Sequence, residues 1–367
     1  MSMWNQRHLA ELVEFKTGKL NSNAAVENGL YPFFTCSPET LRIDKFAFDC
    51  EALLLAGNNA EGNFALKYYA GKFNAYQRTY VVTIPNVELL SYKYLYYSLR
   101  TKLAELQNIS AGSATKFLTL TMLNEICIYL PEIFEQRAIA ATLTSLDDKI
   151  DLLHRQNQTL EAMTETLFRQ WFVEDAQEGW DERPLSSIAN FLNGLACQKY
   201  PPANDLEKLP VLKIRELSSG ISEASDWATS DVKPGYIVEA GDVIFAWSAS
   251  LMVKVWDGEK CVLNQHLFKV TSDEFPKWFY LMWCKHHLAE FIAVAASHAT
   301  TMGHIKRGDL DAAMVLVPPP PVLETMSKQM QPLLDKQIAN ARQRKALEKL
   351  RDTLLPKLMS GEVRVAY

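Results

Sequence analysis

The sequence predicts an α+β protein in which two similar α/β domains are separated by two long helices that pair as an antiparallel coiled coil. Three observations predict it: a long heptad pattern in the middle of the chain, a second copy of that pattern near the C-terminus, and a recurrence at the start of each half. With 367 residues and 48% hydrophobic content, the chain can bury two ordinary cores. We therefore divide it into a domain at 1–130, a helix at 131–174, a domain at 175–317 and a helix at 318–367.

The first long helix is indicated by two columns of seam positions. Each column recurs every seven residues, and the two alternate at spacings of three and four, which is typical of a helix that packs on a second helix. The columns are Ile139, Leu146, Leu153, Leu160 and Leu167, and Leu143, Ile150, Asn157, Thr164 and Trp171. From the first to the last of these positions the helix would run roughly 48 Å, and it requires a partner helix.

The partner is predicted within the same chain. Adding 187 to the numbering carries Asp148-Lys149 onto Asp335-Lys336 and Thr166-Leu167 onto Thr353-Leu354. This second copy is less regular. Pro332 should kink or restart it, Pro356 should disturb its final turn, and Gly361 should end it.

The two domains share their starting residues. With an offset of 176, Trp4, Arg7, Leu9, Phe15 and Gly18 fall on Trp180, Arg183, Leu185, Phe191 and Gly194. Further along, Gln77 matches Gln265 with an offset of 188, and LLLA at 53–56 resembles VIFA at 243–246 with an offset of 190. Changing offsets indicate insertions and deletions in loops, where binding specificity usually lies.

Within the domains the elements follow one order. Residues 4–18 read as a short amphipathic element, YQRTYVVTIP as a strand, residues 92–106 as a helix and EICIYLP as a last strand. In the second half, GDVIFAWSASLMVKVW is a strand pair and residues 277–296 are one aromatic-rich helix. The polar segment ASHATTMGHIK stands where AGSATK stands in the first half.

Composition and motifs exclude several classes of function. No apolar run is long enough to cross a bilayer, and the six cysteines form no C-x-x-C pair, so we expect a cytoplasmic protein without disulfides. A P-loop, a G-x-G-x-x-G fingerprint and an H-E-x-x-H motif are all missing, so the sequence predicts no catalysis. The residues that could suggest a metal lack paired ligand spacing, and ordinary packing is favoured for Cys284, His286, His287, His298 and His304.

The charge balance bears on any nucleic-acid hypothesis. The net charge is −5 and the pI is near 5.9, whereas phosphate contacts dominate the affinity of proteins for DNA. Either the chain does not bind DNA, or a partner supplies much of the positive surface. If it binds DNA, we expect the chain alone to bind duplex poorly.

Several motifs resemble the specificity subunit of type I restriction-modification systems, and the resemblance covers essentially the whole chain. The block LPEIFEQRAIAATLTSLDDKIDLLHRQNQTLEAMTETLFRQWF resembles the first conserved region of that family, and W-x-x-R-x-L at 4–9 and 180–185 resembles the start of each target recognition domain. SATKFLTLTMLNEICIYLP resembles the end of such a domain. The second copy departs from the pattern, because Glu135-Gln136 has no counterpart in PPPPVLETM.

The resemblance implies a non-catalytic DNA-recognition subunit whose two domains each read one half of a split, asymmetric site. It also implies two methyltransferase subunits and, through them, nuclease and translocase subunits as partners. S-adenosylmethionine, ATP and Mg²⁺ would be used by those partners and not by this chain. The alternative is a coiled-coil scaffold with two protein-binding heads.

Polar and basic residues of the variable loops are the candidate base readers, since Asn and Gln can bridge two groups of adenine and Arg or Lys two groups of guanine. In the first domain they are Lys16, Lys19, Asn21, Asn58, Asn59, Gln77, Arg78, Ser113 and Lys116. In the second they are Gln198, Lys199, Lys213, Arg215, Ser248, Asn264, Gln265, His266, His298, Thr301, His304 and Lys306. Gln77 and Gln265 are favoured because the repeat places both after equivalent strands. The aromatic residues of 92–97 and 278–283 are predicted to form helix core rather than a base-stacking surface.

Overall fold

The structure is a computed structural model that describes residues 4–59, 62–109, 116–297 and 303–366. It is a mixed helix and strand fold, as the sequence predicts. The chain divides into two compact units: unit 1 comprises residues 1–149 and 347–367, and unit 2 comprises residues 150–346. Within the described ranges, no helix is both long and apolar enough to cross a membrane.

Unit 1 is built on a mixed six-stranded sheet. The described strands of unit 1 are β1 (Asn5–His8), β2 (Glu14–Thr17), β3 (Tyr31–Phe34), β4 (Thr40–Ile43), β5 (Phe48–Ala56), β6 (Asn58–Asn59), β7 (Leu66–Ala75), β8 (Thr79–Thr83), β9 (Lys116–Phe117) and β10 (Cys127–Leu130). The helices are α1 (Tyr92–Ile109), α2 (Leu120–Glu125) and the beginning of α3 (Ile133–Arg169). The sheet order is β2-β8-β5-β7-β3-β4, and β1-β10 and β6-β9 form two-stranded ribbons. Alternate residues of β5 enter different cores: Leu53 and Leu55 pack with α1, and Ala52 and Leu54 pack on the opposite face.

Unit 2 contains two smaller sheets. Its strands are β11 (Asp181–Pro184), β12 (Asn190–Asn193), β13 (Lys208–Leu212), β14 (Trp227–Thr229), β15 (Ile237–Val238), β16 (Val243–Ala246), β17 (Met252–Val255), β18 (Cys261–Leu263), β19 (Leu267–Thr271) and β20 (Met314–Val317). The helices are α4 (Leu185–Ile188), α5 (Ile214–Ser219), α6 (Lys277–His286), α7 (Leu288–Ser297), α8 (Arg307–Ala312) and α9 (Pro320–Ser360), whose last turns belong to unit 1. The sheet orders are β12-β19-β16-β17 and β14-β13-β18-β15, and β11-β20 is a ribbon.

The ribbons confirm the internal repeat at the level of single residues. In unit 1, Arg7 of β1 pairs with Ile128 of β10. In unit 2, Arg183 of β11 pairs with Val315 of β20. These pairs are related by the offsets of 176 and 187, so both ends of the repeat close on each other in the same register. The prediction of one amphipathic element over 4–18 is wrong, because the chain after Trp4 forms β1, a 3₁₀ turn and β2.

The long helices have the positions that the heptad pattern predicts. Ile139, Leu143 and Leu153 of α3 are buried at its seam. Within unit 1, Arg351 of α9 donates to Asp147 of α3 at 2.9 Å.

A polar contact joins the same two helices in unit 2. Asn157 Nδ2 of α3 donates to the Gln337 carbonyl oxygen of α9 at 3.0 Å. Within each unit, a side-chain hydrogen bond therefore joins α3 to α9.

The prolines do not interrupt α9 as expected. Both Pro332 and Pro356 lie within the continuous helix, so the predicted restart is wrong. A proline removes one backbone hydrogen bond, but a helix held by packing on both sides can retain its course. Met330 and Leu334 bury their side chains in the unit 2 core on either side of Pro332. The predicted end is confirmed, because Gly361 follows the helix with a φ of 74°.

The aromatic helices form core, as predicted. Tyr94 of α1 and Phe279 of α6 are each 0% exposed, and Trp278 is 1% exposed. The single helix predicted over 277–296 is instead two helices, α6 and α7, separated at His287. That residue turns its ring to the Met314 carbonyl oxygen, with Nε2 and the oxygen 3.0 Å apart.

Candidate nucleic-acid interface

Four strand ends of unit 1 meet at one edge of the six-stranded sheet. The pairings Thr17↔Tyr80 and Ala56↔Thr79 bring the ends of β2 and β5 to the start of β8. The parallel pairing Phe34↔Ala75 brings the end of β3 beside the end of β7. The loops that leave these strands therefore converge, and we call the group of Asn21, Cys36, Asn58, Gln77 and Arg78 the first edge.

Gln77 is fixed at the centre of the first edge. Its backbone N–H donates to the Leu20 carbonyl oxygen at 2.9 Å, and its side-chain Nε2 donates to Asn21 Oδ1 at 2.8 Å. Gly18 permits this approach, because a Cβ there would lie 1.7 Å from the Ala75 carbonyl oxygen. Two exposed amide side chains are thus held side by side, with donors and acceptors that can address base edges.

Asn58 and Asn59 lie in β6, which pairs with β9. The register is Asn58↔Phe117 and Asn59↔Lys116, and Leu118 N–H donates to the Gly57 carbonyl oxygen at 2.9 Å. Of Lys116 only the backbone is described, and Ser113 lies outside the described residues.

The other Lys and Arg residues predicted as base readers in the first domain are exposed. Lys19 lies on the loop that follows β2, and Arg78 precedes β8. Lys16 lies within β2 opposite Val81, with its Nζ 3.6 Å from a Glu14 carboxylate oxygen. Lys16 is therefore on the strand and not at its end.

Sequence reasoning missed three residues of this region. Cys36 donates from Sγ to Asn58 Oδ1 at 2.9 Å, Ser37 is next to it, and Phe117 exposes 53% of its surface beside Asn58. The repeat could have indicated Cys36 and Ser37, because the loop after YPFFT that carries them corresponds to the loop that carries Lys213 and Arg215. Phe117 gave no such signal, because a single aromatic in a polar segment resembles core.

Unit 2 repeats the backbone of this edge. Gln265 N–H donates to the Leu195 carbonyl oxygen at 2.8 Å, as Gln77 does to Leu20. The isolated parallel bridges are Leu20↔Tyr76 and Leu195↔Asn264. The two glutamines therefore occupy equivalent places, as the repeat predicts.

The ribbon that holds Asn58 also recurs. Ser248 bridges His304, and Ile305 N–H donates to the Trp247 carbonyl oxygen at 3.0 Å. His298 and Thr301, which the sequence also selects, lie outside the described residues.

The second edge is the group of Trp247, Ser248, Gln265, His266 and His304, and its side chains differ from those of the first. Ser248 Oγ lies 3.2 Å from His266 Nδ1, and the Trp247 ring centroid is 5.9 Å from that of His266 and 6.3 Å from that of His304. Trp247, which sequence reasoning missed, also donates from Nε1 to Asn193 Oδ1 at 3.2 Å. Two imidazoles are thus arranged around one indole.

The turn that follows Ser248 is strained. Ala249 has a φ of 56°, in the left-handed region that non-glycine residues rarely occupy, and its N–H donates to the Gly303 carbonyl oxygen at 2.8 Å. Such strain is often found at functional sites.

Several predicted readers of unit 2 are engaged within the chain. Ser248 and Asn264 are only 3% and 5% exposed, so they hold the edge from beneath. Lys213 pairs with Asp226, and this ion pair keeps the pKa of the Asp226 carboxyl below its usual range. Arg215 Nη2 lies 2.6 Å from the carboxylate of Glu216, which is 0% exposed.

The other three candidates of unit 2 are exposed and outside the second edge. Gln198 and Lys199 lie on a 3₁₀ turn, and Lys306 precedes α8 with its N–H donating to Asp309 Oδ2 at 2.6 Å. The part of the chain that the structure describes contains no group of three His, Cys, Asp or Glu residues that could hold a metal ion.

A protein-family comparison matches most of the chain. The family described as "Type I restriction modification DNA specificity domain" matches twice, over residues 1–162 and 177–349. Each match begins near one of the recurring W-x-x-R-x-L motifs.

Individual relatives agree with the family match. The Type I restriction enzyme EcoDI specificity subunit of Escherichia coli is 26% identical over 409 residues, covering 98% of this chain and 88% of that protein. The Type I restriction enzyme MjaIX specificity subunit of Methanocaldococcus jannaschii is 28% identical over 300 residues, covering 74% and 69%. The crystal structure of a type I restriction-modification S subunit from M. genitalium shares the fold, with a TM-score of 0.68, 16% identity and coverage of 97% and 96%.

Proposed function

Because the chain belongs to the type I restriction-modification DNA specificity family, it is a DNA sequence-recognition subunit, and we propose that each of its units reads one half of a split, asymmetric site. As a specificity subunit it is not itself catalytic. It works with DNA inside a complex of several subunits.

The observation that carries the proposal is the repeated edge with unlike side chains. Equivalent backbone bridges hold Gln77 and Gln265 in place. The first edge nevertheless presents amides and Arg78 where the second presents imidazoles and an indole. Equal scaffolds with different hydrogen-bonding groups fit two half-sites of different base sequence. The bases themselves would be selected by the members of both edges that are not buried.

We propose that α3 and α9 form an antiparallel coiled coil that acts as the spacer between the half-site readers. Two contacts support this proposal. Asp147 of α3 contacts Arg351 of α9, and Asn157, further along α3, contacts Gln337, which lies earlier in α9. The half-buried Asn157 and the buried Asn340 are polar positions typical of a seam that fixes register at some cost in stability. Residues 1–130 and 175–317 would be the target recognition domains, and 131–174 and 318–367 the helical spacers.

Two methyltransferase subunits are the proposed partners, and each unit offers one small surface of the same kind. Met163 in unit 2 and Leu350 in unit 1 are both 46% exposed and are related by the offset of 187. One turn further on, Thr166 and Thr353 turn their hydroxyls back to their own helix at 2.8 Å, which leaves their methyl groups outward. We call each pair the exposed strip of its unit. A partner bound twice needs the same apolar contact twice.

The partners would also supply what the chain lacks in charge. A chain with net charge −5 gains little from phosphate contacts, so methyltransferase subunits that close on the duplex would provide them. Methylation with S-adenosylmethionine, and ATP- and Mg²⁺-dependent translocation and cleavage, would belong to the methyltransferase and nuclease subunits.

The test compares the chain alone with its complex. The chain is co-expressed with the methyltransferase subunits of its own system, duplex binding is measured at physiological salt, and methylated sites are mapped by sequencing. We expect tight, specific binding from the complex and only weak binding from the chain alone. The same assay is repeated after residues 1–130 are replaced by those of a relative, which should change one half-site only.

The outcomes separate the hypotheses. Nanomolar, sequence-specific binding by the isolated chain would refute the need for partners. A change in both half-sites of the chimera would refute one reader per half-site. If no assembly containing the chain binds DNA specifically, the alternative of a scaffold with two protein-binding heads would replace the proposal.

A further inference from the structure

Phe117 is an aromatic side chain that unit 1 leaves exposed on a fixed backbone. Its neighbour Leu118 is 4% exposed, donates its N–H to the Gly57 carbonyl oxygen and accepts from the Tyr80 hydroxyl, both at 2.9 Å. The strand pairing with Asn58 holds Phe117 at the first edge. The 53% exposed ring is therefore positioned by its neighbours and not by its own burial, and Leu120 (47%) and Met122 (39%) expose further apolar surface close to it in the chain.

This aromatic position is not shared by the two units. The bridge Ser248↔His304 repeats the pair Asn58↔Phe117, so His304 is the equivalent of Phe117. The apolar surroundings also differ, because Leu120 is 47% exposed where the offset of 187 places Arg307 in unit 2. A protein partner that binds twice would need the feature in both units. A feature present in one unit only fits what differs between the half-sites, which is base sequence.

We propose that Phe117 reads a thymine of the first half-site through contact with its 5-methyl group. Among the four DNA bases, thymine alone presents a methyl group in the major groove, and phenylalanine is one of the apolar side chains that contact it. The amides of Asn58 and Gln77 lie at the same edge and can address the polar groups of neighbouring bases. His304, with its ring nitrogens, would read a different group in the second half-site. The inference rests on the proposed function and adds the chemical group that one residue recognises.

The experiment removes only the methyl group. The complex of this chain with its methyltransferase subunits is titrated with duplexes in which each thymine of the mapped first half-site is replaced, one at a time, by deoxyuridine. For the wild type we expect one replacement to weaken binding about fourfold, the effect of one buried methyl group. In Phe117→Ala the same replacement should have no effect, and in Phe117→Leu, which keeps an apolar contact, part of the effect should remain.

Phe46→Ala is the matched control. Phe46 is 44% exposed in unit 1 and packs against Tyr31, with ring centroids 5.1 Å apart, outside the β6-β9 ribbon that holds Phe117. This variant should retain the full deoxyuridine effect. Thermal melting of each variant checks that the exposed rings contribute little to folding.

Failure of this inference is distinguishable from failure of the proposed function. If the wild-type complex binds its site specifically but tolerates deoxyuridine at every position, or if the first half-site contains no thymine, Phe117 is not a methyl reader. If Phe117→Ala prevents assembly with the methyltransferase, the ring is a protein contact and the inference is overturned. If the wild-type complex binds no specific site, the proposed function itself fails.

Discussion

The length of α3 and α9 should set the number of unspecified bases between the two half-sites. The helices contain 37 and 41 residues, or about 55 and 62 Å at about 1.5 Å per residue. The perturbation is one heptad inserted in both, after Leu153 and after Asn340, with leucine at the seam positions. Seven residues make nearly two turns, so the seam continues to face its partner.

The expected change follows from helix geometry. One heptad lengthens the pair by about 10 Å. At about 3.4 Å per base pair this is an upper limit of roughly three base pairs, and fewer if the helices lie oblique to the DNA. The half-site sequences should stay the same, because the insertions lie outside both edges.

Methylation-site mapping of the complex provides the assay. A folded, active double insertion that keeps the original number of unspecified bases would show that the helices are not the ruler. The control inserts the heptad after Leu153 alone. Without a matching insertion in α9 the extra residues should bulge, so the spacing should not increase.

Two further predictions concern the helices. Met163→Glu and Leu350→Glu should each weaken co-purification with the methyltransferase, and the double variant should lose it. The control Leu152→Glu, at a similarly exposed position outside the exposed strips, should not weaken it. Equal binding by all variants would argue against these strips as the docking surface. Asn340→Leu should stabilise unit 2 by about 1–3 kcal/mol, because Asn340 is 1% exposed, its Oδ1 has no hydrogen-bond partner, and its Nδ2 donates to Gln156 only at 3.4 Å. Urea unfolding followed by tryptophan fluorescence reports on unit 2, which holds seven of the eight tryptophans. Gln343→Leu, at an exposed position of the same helix, is the control. A destabilised Asn340→Leu would contradict the reasoning.

The sequence predicted the parts of the fold that repeat. Heptad spacing located the first long helix, and the offset of 187 located the second. The offsets of 176 and 187 also relate the pair of Arg7 with Ile128 to the pair of Arg183 with Val315. Repetition works as a predictor because two segments with the same pattern must satisfy the same packing. The predicted restart at Pro332 is wrong, because local propensity can be overridden by burial on both sides of the residue.

The candidate interface could be predicted only in outline. The repeat predicted that Gln77 and Gln265 follow equivalent strands, but the pairing of Lys213 with Asp226 depends on the pairing of β13 with β14, which the sequence did not predict. The burial of Asn264 likewise depends on which loops meet above it. The hydrogen-bond partners and the exposure of a side chain depend on the tertiary fold. They could therefore not be predicted from this one sequence.

The distribution of likeness and difference between the units is itself an argument about mechanism. Positions that keep their character, such as Met163 with Leu350, are suited to a partner present twice. Positions that keep their backbone and change their chemistry, such as Phe117 with His304, are suited to a ligand that differs at the two ends. An asymmetric DNA site flanked by two identical enzymes has both properties. A scaffold for two identical proteins would need only the first, so the different side chains on equivalent edge backbones favour DNA recognition over protein binding by the heads.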